Sequence, residues 1–187
     1  SQTWSIARDN RGVMYFGYIL GVLEYDGNAW HQIELPNFAA MSLTTDDKGT
    51  VYVGGKGVLG YLAVDKSGAA KFISLTNFIP PADRAFRDVW SVFSTKVGVY
   101  FQSANRLFRW SGDSMRVWKP QTSFHVGFKV RDRYYLRQRQ IGLMQVIDDS
   151  LTLVSQGDTF ATIRMYAMMP FPEQKTLIVT REKGLFL

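Results

Sequence analysis

One pattern recurs along this chain and limits its fold more than any other feature: a short apolar strand, an acidic turn closing on glycine, an aromatic strand, a glycine and a second apolar strand. Gly12 and Gly49 stand 37 residues apart, and so do Tyr15 and Tyr52. Copies cover residues 4–35, 41–75, 89–119 and 124–154, and a fifth from 163 stops as its third strand begins. A period of roughly 20 to 50 residues marks a repeat architecture. Each copy holds four short runs rich in Val, Ile, Tyr, Phe and Trp between turn residues, the pattern of strands rather than of an amphipathic helix.

In the first copy the expected strands are 5–7, 13–16, 22–25 and 29–33. Asp9 to Gly12 make a tight turn in which glycine takes the positive φ, and Asp26-Gly27 a two-residue hairpin turn. A four-stranded antiparallel meander cannot bury both faces alone, and stacking like units around an axis solves this. The expected fold is therefore all-β, a partial β-propeller with blades at 1–36, 37–80, 81–120, 121–160 and a truncated 161–187, forming one domain. Four blades and part of a fifth leave an open arc, so self-association or the remainder of a larger propeller is expected to complete it.

The repeat resembles the two-component regulator propeller family. Asp9, Gly12, Tyr15, Phe16, Gly17, Gly21, Val22, Leu23, Tyr25, Asp26 and Gly27 carry the likeness in the first copy. Asp46, Gly49, Tyr52, Val53, Gly54, Gly57, Val58 and Leu59 carry it in the second. Copies three and four lack the acidic turn, copy three has Asn105 and Arg106 at a family glycine, and copy five has Pro170 and Pro172 near its first turn. The resemblance implies a sensor region, extracytoplasmic and so periplasmic, of a bacterial receptor whose output is a histidine kinase or a diguanylate cyclase. It also implies an oligosaccharide-like ligand and propellers that pair as dimers.

Composition removes several classes. With 46% hydrophobic and 14% aromatic residues the 187-residue chain has the apolar side chains that a disordered chain lacks. No cysteine means no disulfide framework, thiolate metal site or cysteine nucleophile, and the two histidines, His31 and His125, are far apart, so no metal and no cofactor is expected. The longest apolar run, 13–23, falls short of the roughly 20 residues a helix needs to cross a bilayer, so membrane attachment is expected only through other segments. No export-signal pattern opens the chain, which begins on Ser1 and reads as an excised or processed piece. The net charge of +6 suits anions but is too dispersed to suggest nucleic acid.

In VRDRYYLRQRQ, strand alternation puts Arg131, Arg133, Tyr135, Arg137 and Arg139 on one face, where guanidiniums could clamp carboxylates or phosphates; the competing reading is a solvated face. The insertion 76–88 lengthens one connection and supplies Phe86 and Arg87 as further ligand candidates, or forms a lid packed on the rim. Trp4, Trp30, Trp90, Trp110 and Trp118 are expected mostly to pack between blades. GGKGVLG coincides with a repeat turn and places Lys56 before Gly57, unlike a phosphate loop. Neither histidine has a nearby nucleophile or carboxylate pair in sequence. The expected function is thus non-catalytic sensing of an oligosaccharide or other anionic small ligand; the alternatives are a lyase or glycosidase acting on polysaccharide, or a protein-interaction propeller.

Overall fold

A computed structural model describes residues 2–66 and 68–187. They form five small antiparallel sheets, each with its strands in chain order. The chain divides into two compact units, Ser1–Val117 and Trp118–Leu187.

The first unit holds β1 (Thr3–Arg8), β2 (Met14–Tyr18), β3 (Gly21–Tyr25) and β4 (Trp30–Ile33) as its first sheet. β5 (Ala40–Thr45), β6 (Val51–Gly55), β7 (Val58–Val64) and β8 (Ala70–Ser74) form the second. β9 (Ser91–Thr95), β10 (Gly98–Gln102), β11 (Leu107–Trp110) and β12 (Met115–Trp118) form the third, whose last strand reaches the boundary. The acidic turns form as the sequence predicts: the Asp9 carboxylate accepts the N–H groups of Arg11 and Val13, and the Asp46 carboxylate those of Lys48 and Thr50. The Asp26 turn is longer than a two-residue hairpin. Tyr25 pairs with Trp30, leaving a four-residue loop in which Asp26 Oδ1 accepts from Asn28 and Ala29. These two hydrogen bonds to the aspartate close the loop.

Tyr15, Val22, Ile33, Leu43, Val53 and Leu62 join the first two sheets in one apolar cluster, and the first strands adjoin, with Leu43 N–H donating to Ser5 Oγ at 2.9 Å. Tyr52, Leu59, Val92, Phe101 and Phe108 join the second and third sheets. The insertion closes over this second cluster, with Ile79 and Phe86 in the core and 3₁₀ turns at Thr76–Phe78 and Pro81–Asp83. It is fastened by Asp83, whose carboxylate pairs with Arg106 Nε at 2.9 Å.

The second unit holds β13 (Phe124–Val130), β14 (Arg133–Gln138), β15 (Gly142–Ile147) and β16 (Ser150–Leu153), then β17 (Met165–Pro170), β18 (Thr176–Thr180) and β19 (Leu185–Phe186). Phe128, Val130, Leu143, Phe160, Met165 and Met168 form its core.

A register shift recurs at one place in the first strand of four sheets, between Thr3 and Ser5, Ala40 and Ser42, Phe124 and Val126, and Met165 and Ala167. The residues opposite the shifted positions are Gly17, Gly54, Arg137 and Val179. At the first two there is no room for a side chain: a Cβ on Gly17 would meet Ala40 O at 2.8 Å, and one on Gly54 would meet Val89 Cγ1 at 2.5 Å. The fourth sheet places an arginine at this position, and that departure from the repeat positions the site described next.

Candidate anion-binding cleft

β14 spans six residues, so alternation governs only Arg133 to Gln138. The expected stripe of five side chains is corrected accordingly. Arg131 lies in the turn between β13 and β14 with φ 54°, and its Nη2 faces the carbonyls of Phe171 and Lys175. Arg133 begins the strand and is exposed, and Tyr135 is half-buried against the core of the second unit. Arg137 is the last but one residue of the strand and Arg139 lies in the turn that follows. Hydrogen bonding at both strand ends, not side-chain pattern, takes Arg131 and Arg139 out of line.

Arg137 and Arg139 nevertheless come together, with partners that strand reasoning missed. They line a cleft of about 450 Å³ with His125 from the start of β13, Gln140 from the β14–β15 turn, and Thr162 and Arg164 from the segment leading to β17. Arg137 is only 5% exposed. Its Nε donates to Phe160 O and its Nη2 to Ala161 O, both at 2.7 Å. These two bonds hold the guanidinium against the connection before β17 but supply no negative charge, and a buried cation without a counter-charge is costly. Burial lowers the Arg137 pKa from its ordinary value, and Arg139 and Arg164 add repulsion that Glu182 offsets only in part. Glu182 is also engaged by Arg164, through the backbone N–H at 3.1 Å and Nε at 3.8 Å.

His125 shares this field. Burial, then Arg137, Arg139 and Arg164, hold its pKa below the usual 6.5, so its neutral form is favoured, and its buried Nδ1 has no hydrogen-bond partner in the structure. Three guanidiniums and one imidazole thus line a cleft with no carboxylate in its wall. The corresponding place in the first unit, between the β2–β3 turn and the loop before β5, is lined by Ile19, Leu20, Asn37, Phe38 and Lys56 and is mainly apolar. The basic character belongs to the second unit's own side chains, not to the repeat. The arginine run pointed to Arg137 and Arg139, and Arg137 stands at a glycine position of the repeat; Arg164, isolated in its segment, gave no signal.

The other candidates lie elsewhere. Phe86 is in the core, edge-on to Phe108 at 4.9 Å, so the expectation that it touches ligand is corrected: its ring already packs on protein. Arg87 is exposed, with its backbone N–H donating to Asn105 Oδ1. Among the tryptophans Trp110 is buried, whereas Trp30 and Trp90 are more than half exposed, against the expectation that most fill the core. Trp30 lies in an outermost strand and stacks on Tyr25 at 4.5 Å instead. Among the described residues no group of three His, Asp or Glu could hold a metal ion, and no helix is long and apolar enough to cross a membrane.

No protein-family model matches this chain, and no curated protein matches it in sequence. Solved structures do. Virginiamycin B lyase from Staphylococcus aureus superposes with a TM-score of 0.65 at 11% identity, over 98% of this chain and 68% of the lyase. The extracellular domain of a hybrid two-component system from B. thetaiotaomicron gives 0.65 at 16% identity, over 99% of this chain and 27% of that domain. The WD40 β-propeller domain of Doa1 gives 0.59 at 13% identity, over 99% and 64%. The chain has a β-propeller type of fold. At such identities the likeness shows the fold alone.

The expectation that the chain is not an enzyme is corrected by these comparisons. The lyase is an enzyme, and its complex with quinupristin was obtained with a catalytically inactive variant in which a histidine is replaced by alanine. Propellers therefore include catalysts as well as extracellular domains of two-component systems, and fold alone gives no ground for setting catalysis aside.

Proposed function

We propose that this chain is ligand-recognition propeller structure from the extracytoplasmic, periplasmic part of a bacterial signal receptor, and that its cleft takes an anionic small ligand such as an acidic oligosaccharide. The observation that carries this reading is Arg137, a buried guanidinium bonded only to main-chain carbonyls and facing a cleft whose other charged groups are also basic. An ionised carboxylate or sulfate ester would supply the counter-charge and form charge-assisted hydrogen bonds with Arg139 and Arg164. The likeness to the extracellular domain of a two-component system and the repeat pattern support the sensor part. Titration with an acidic oligosaccharide and its neutral counterpart tests it. Binding of the acidic sugar alone, weakened at least tenfold in Arg139→Ala with Arg164→Ala and unchanged in Arg131→Ala with Arg133→Ala, is the expected result. Equal affinity for both sugars would defeat the reading.

His125 favours a second reading, that the cleft also breaks a polysaccharide. A general base must be unprotonated to accept a proton, and the surrounding guanidiniums favour that form of this imidazole. The structural likeness to a lyase agrees with it. New ultraviolet-absorbing unsaturated ends on an acidic polysaccharide, lost in His125→Ala, would support it.

A further inference from the structure

Tyr15 pairs with Glu24 as Tyr52 pairs with Tyr61 and Val99 with Trp110. One position on the third strand thus carries an aromatic ring in the second and third sheets and a carboxylate in the first. Tyr61 packs against the core with Met115 and Val117, and Trp110 is buried within it. Glu24 lies on the face that holds Tyr15, Val22 and Ile33, which pack against the second sheet. Between the two sheets at this point is a cavity of about 570 Å³, walled by Glu24, Asp26, His31 and Arg11 on one side and by Gly68 to Ala70 on the other. Small residues on one wall and a carboxylate in place of a ring on the other keep the sheets apart here.

The charges of this cavity are the reverse of those around Arg137. Glu24 Oε2 is buried and has no hydrogen-bond partner. Two neighbouring donors are committed elsewhere: Arg11 Nε donates to Asp9 Oδ2 at 2.8 Å and Arg11 Nη2 to the Tyr15 hydroxyl, which itself donates to Asp9. Asp26 adds a second carboxylate at the exposed edge, where Oδ1 accepts only from its own loop. A buried carboxylate oxygen without a donor carries the full desolvation penalty of that atom, and a group that brings positive charge and N–H donors removes it.

We propose that this cavity is a second binding site, for a small protonated amine whose ammonium group lies against Glu24 Oε2 with Asp26 adding negative charge. The ammonium has three donors to offer, and its bond to the carboxylate is charge-assisted. His31, directly opposite Glu24 on β4, presents a ring to the rest of the ligand. Every residue of the site lies in the first unit, so it is separate from the anion-binding cleft.

Calorimetric titration with two amines, glucosamine and putrescine, each beside its uncharged counterpart, N-acetylglucosamine and butanediol, tests this. At least one amine is expected to bind and neither counterpart to do so, and the amine preferred tells an amino sugar from an aliphatic amine. Glu24→Gln, which keeps the shape and removes the charge, is expected to weaken binding at least tenfold. Glu24→Tyr, which fills the position as the second sheet does, is expected to abolish it; both variants are checked for folding by thermal melting. Failure of wild type to bind either amine overturns the proposal. So does equal affinity for an amine and its uncharged counterpart, or amine binding that persists undiminished in a folded Glu24→Gln or Glu24→Tyr protein.

Discussion

The Tyr15 hydroxyl donates to Asp9 Oδ2 at 3.2 Å, and 37 residues later Tyr52 reaches Asp46 Oδ2 at 3.4 Å. In the first two sheets the second strand is thereby tied to the turn that precedes it, by the two residues that make the repeat visible in the sequence. Burial, followed by the nearby carboxylates, pushes both tyrosine hydroxyls up to about 12, so they remain donors across the ordinary pH range.

Asp9 has the fuller set of partners. Burial alone would raise its pKa, but Arg11 and the backbone N–H groups of Val13 and Arg11 outweigh it and leave the carboxyl below its ordinary 3.8. The folded form therefore binds a proton less readily than the unfolded one. Its contribution is complete above 3.8 and is lost as pH falls through that value and on through the lower folded pKa. Asp9→Asn is expected to cost about 1–3 kcal/mol near neutral pH and Tyr15→Phe about 1 kcal/mol. In urea unfolding repeated at falling pH, the gap between wild type and Asp9→Asn should narrow. A gap that stays constant would mean the carboxylate charge is not what matters.

Gly54→Ala tests why the repeat carries a glycine at the end of its aromatic strand. The added methyl would meet Val89 Cγ1 at 2.5 Å, Ser42 Oγ at 2.6 Å and Val92 Cγ2 at 2.8 Å, which join the second and third sheets. Overpacking of this kind typically costs about 1–3 kcal/mol. A midpoint of chemical unfolding equal to wild type would show that the sheets separate without cost.

The strands were legible because Asp9, Gly12, Asp46 and Gly49 fix turns by local chemistry, and β-branched and aromatic runs between turns have few alternatives. Local chemistry also set the limits. The Asp26 loop depended on which N–H groups its carboxylate would collect, and the arginine stripe ended where hydrogen bonding ended β14. Trp30 and Phe86 exchanged expected roles, since an outermost strand leaves a ring half open while an insertion folded over a core buries one. The cleft was not legible as a site: His125, Arg139 and Arg164 converge only after a register shift and an inter-sheet connection place them, and no spacing in the sequence encodes that.

Asp83 and Arg106 hold the insertion to the third sheet through a largely buried pair. Arg106→Ala leaves the buried carboxylate without this charged donor, and a loss of about 1.5–3 kcal/mol is expected. Arg106→Lys keeps the charge but not the planar donor geometry and should recover part of it. Limited proteolysis within residues 76–88, compared across the three proteins, checks whether the loss is local. Cleavage unchanged in Arg106→Ala would mean that Ile79 and Phe86 suffice to anchor the segment.

The cleft is expected to bind its anion more tightly as pH falls. In the free protein burial and three guanidiniums keep the His125 pKa below 6.5, so the unfolded chain takes up this proton first, and stability drops as pH falls below 6.5 toward the folded value. A bound anion cancels the repulsion and favours the imidazolium, which adds a fourth cation to the site. Affinity for a sulfated oligosaccharide, whose charge does not change in this range, should therefore rise on moving from above 6.5 to below it, with proton uptake detectable by calorimetry in buffers of different ionisation enthalpy. His125→Gln removes the titrating group and leaves the three arginines, so it should bind with an affinity independent of pH. Binding by wild type with no proton uptake would show that His125 stays neutral in the complex, and a pH dependence that persists in His125→Gln would assign it to another group.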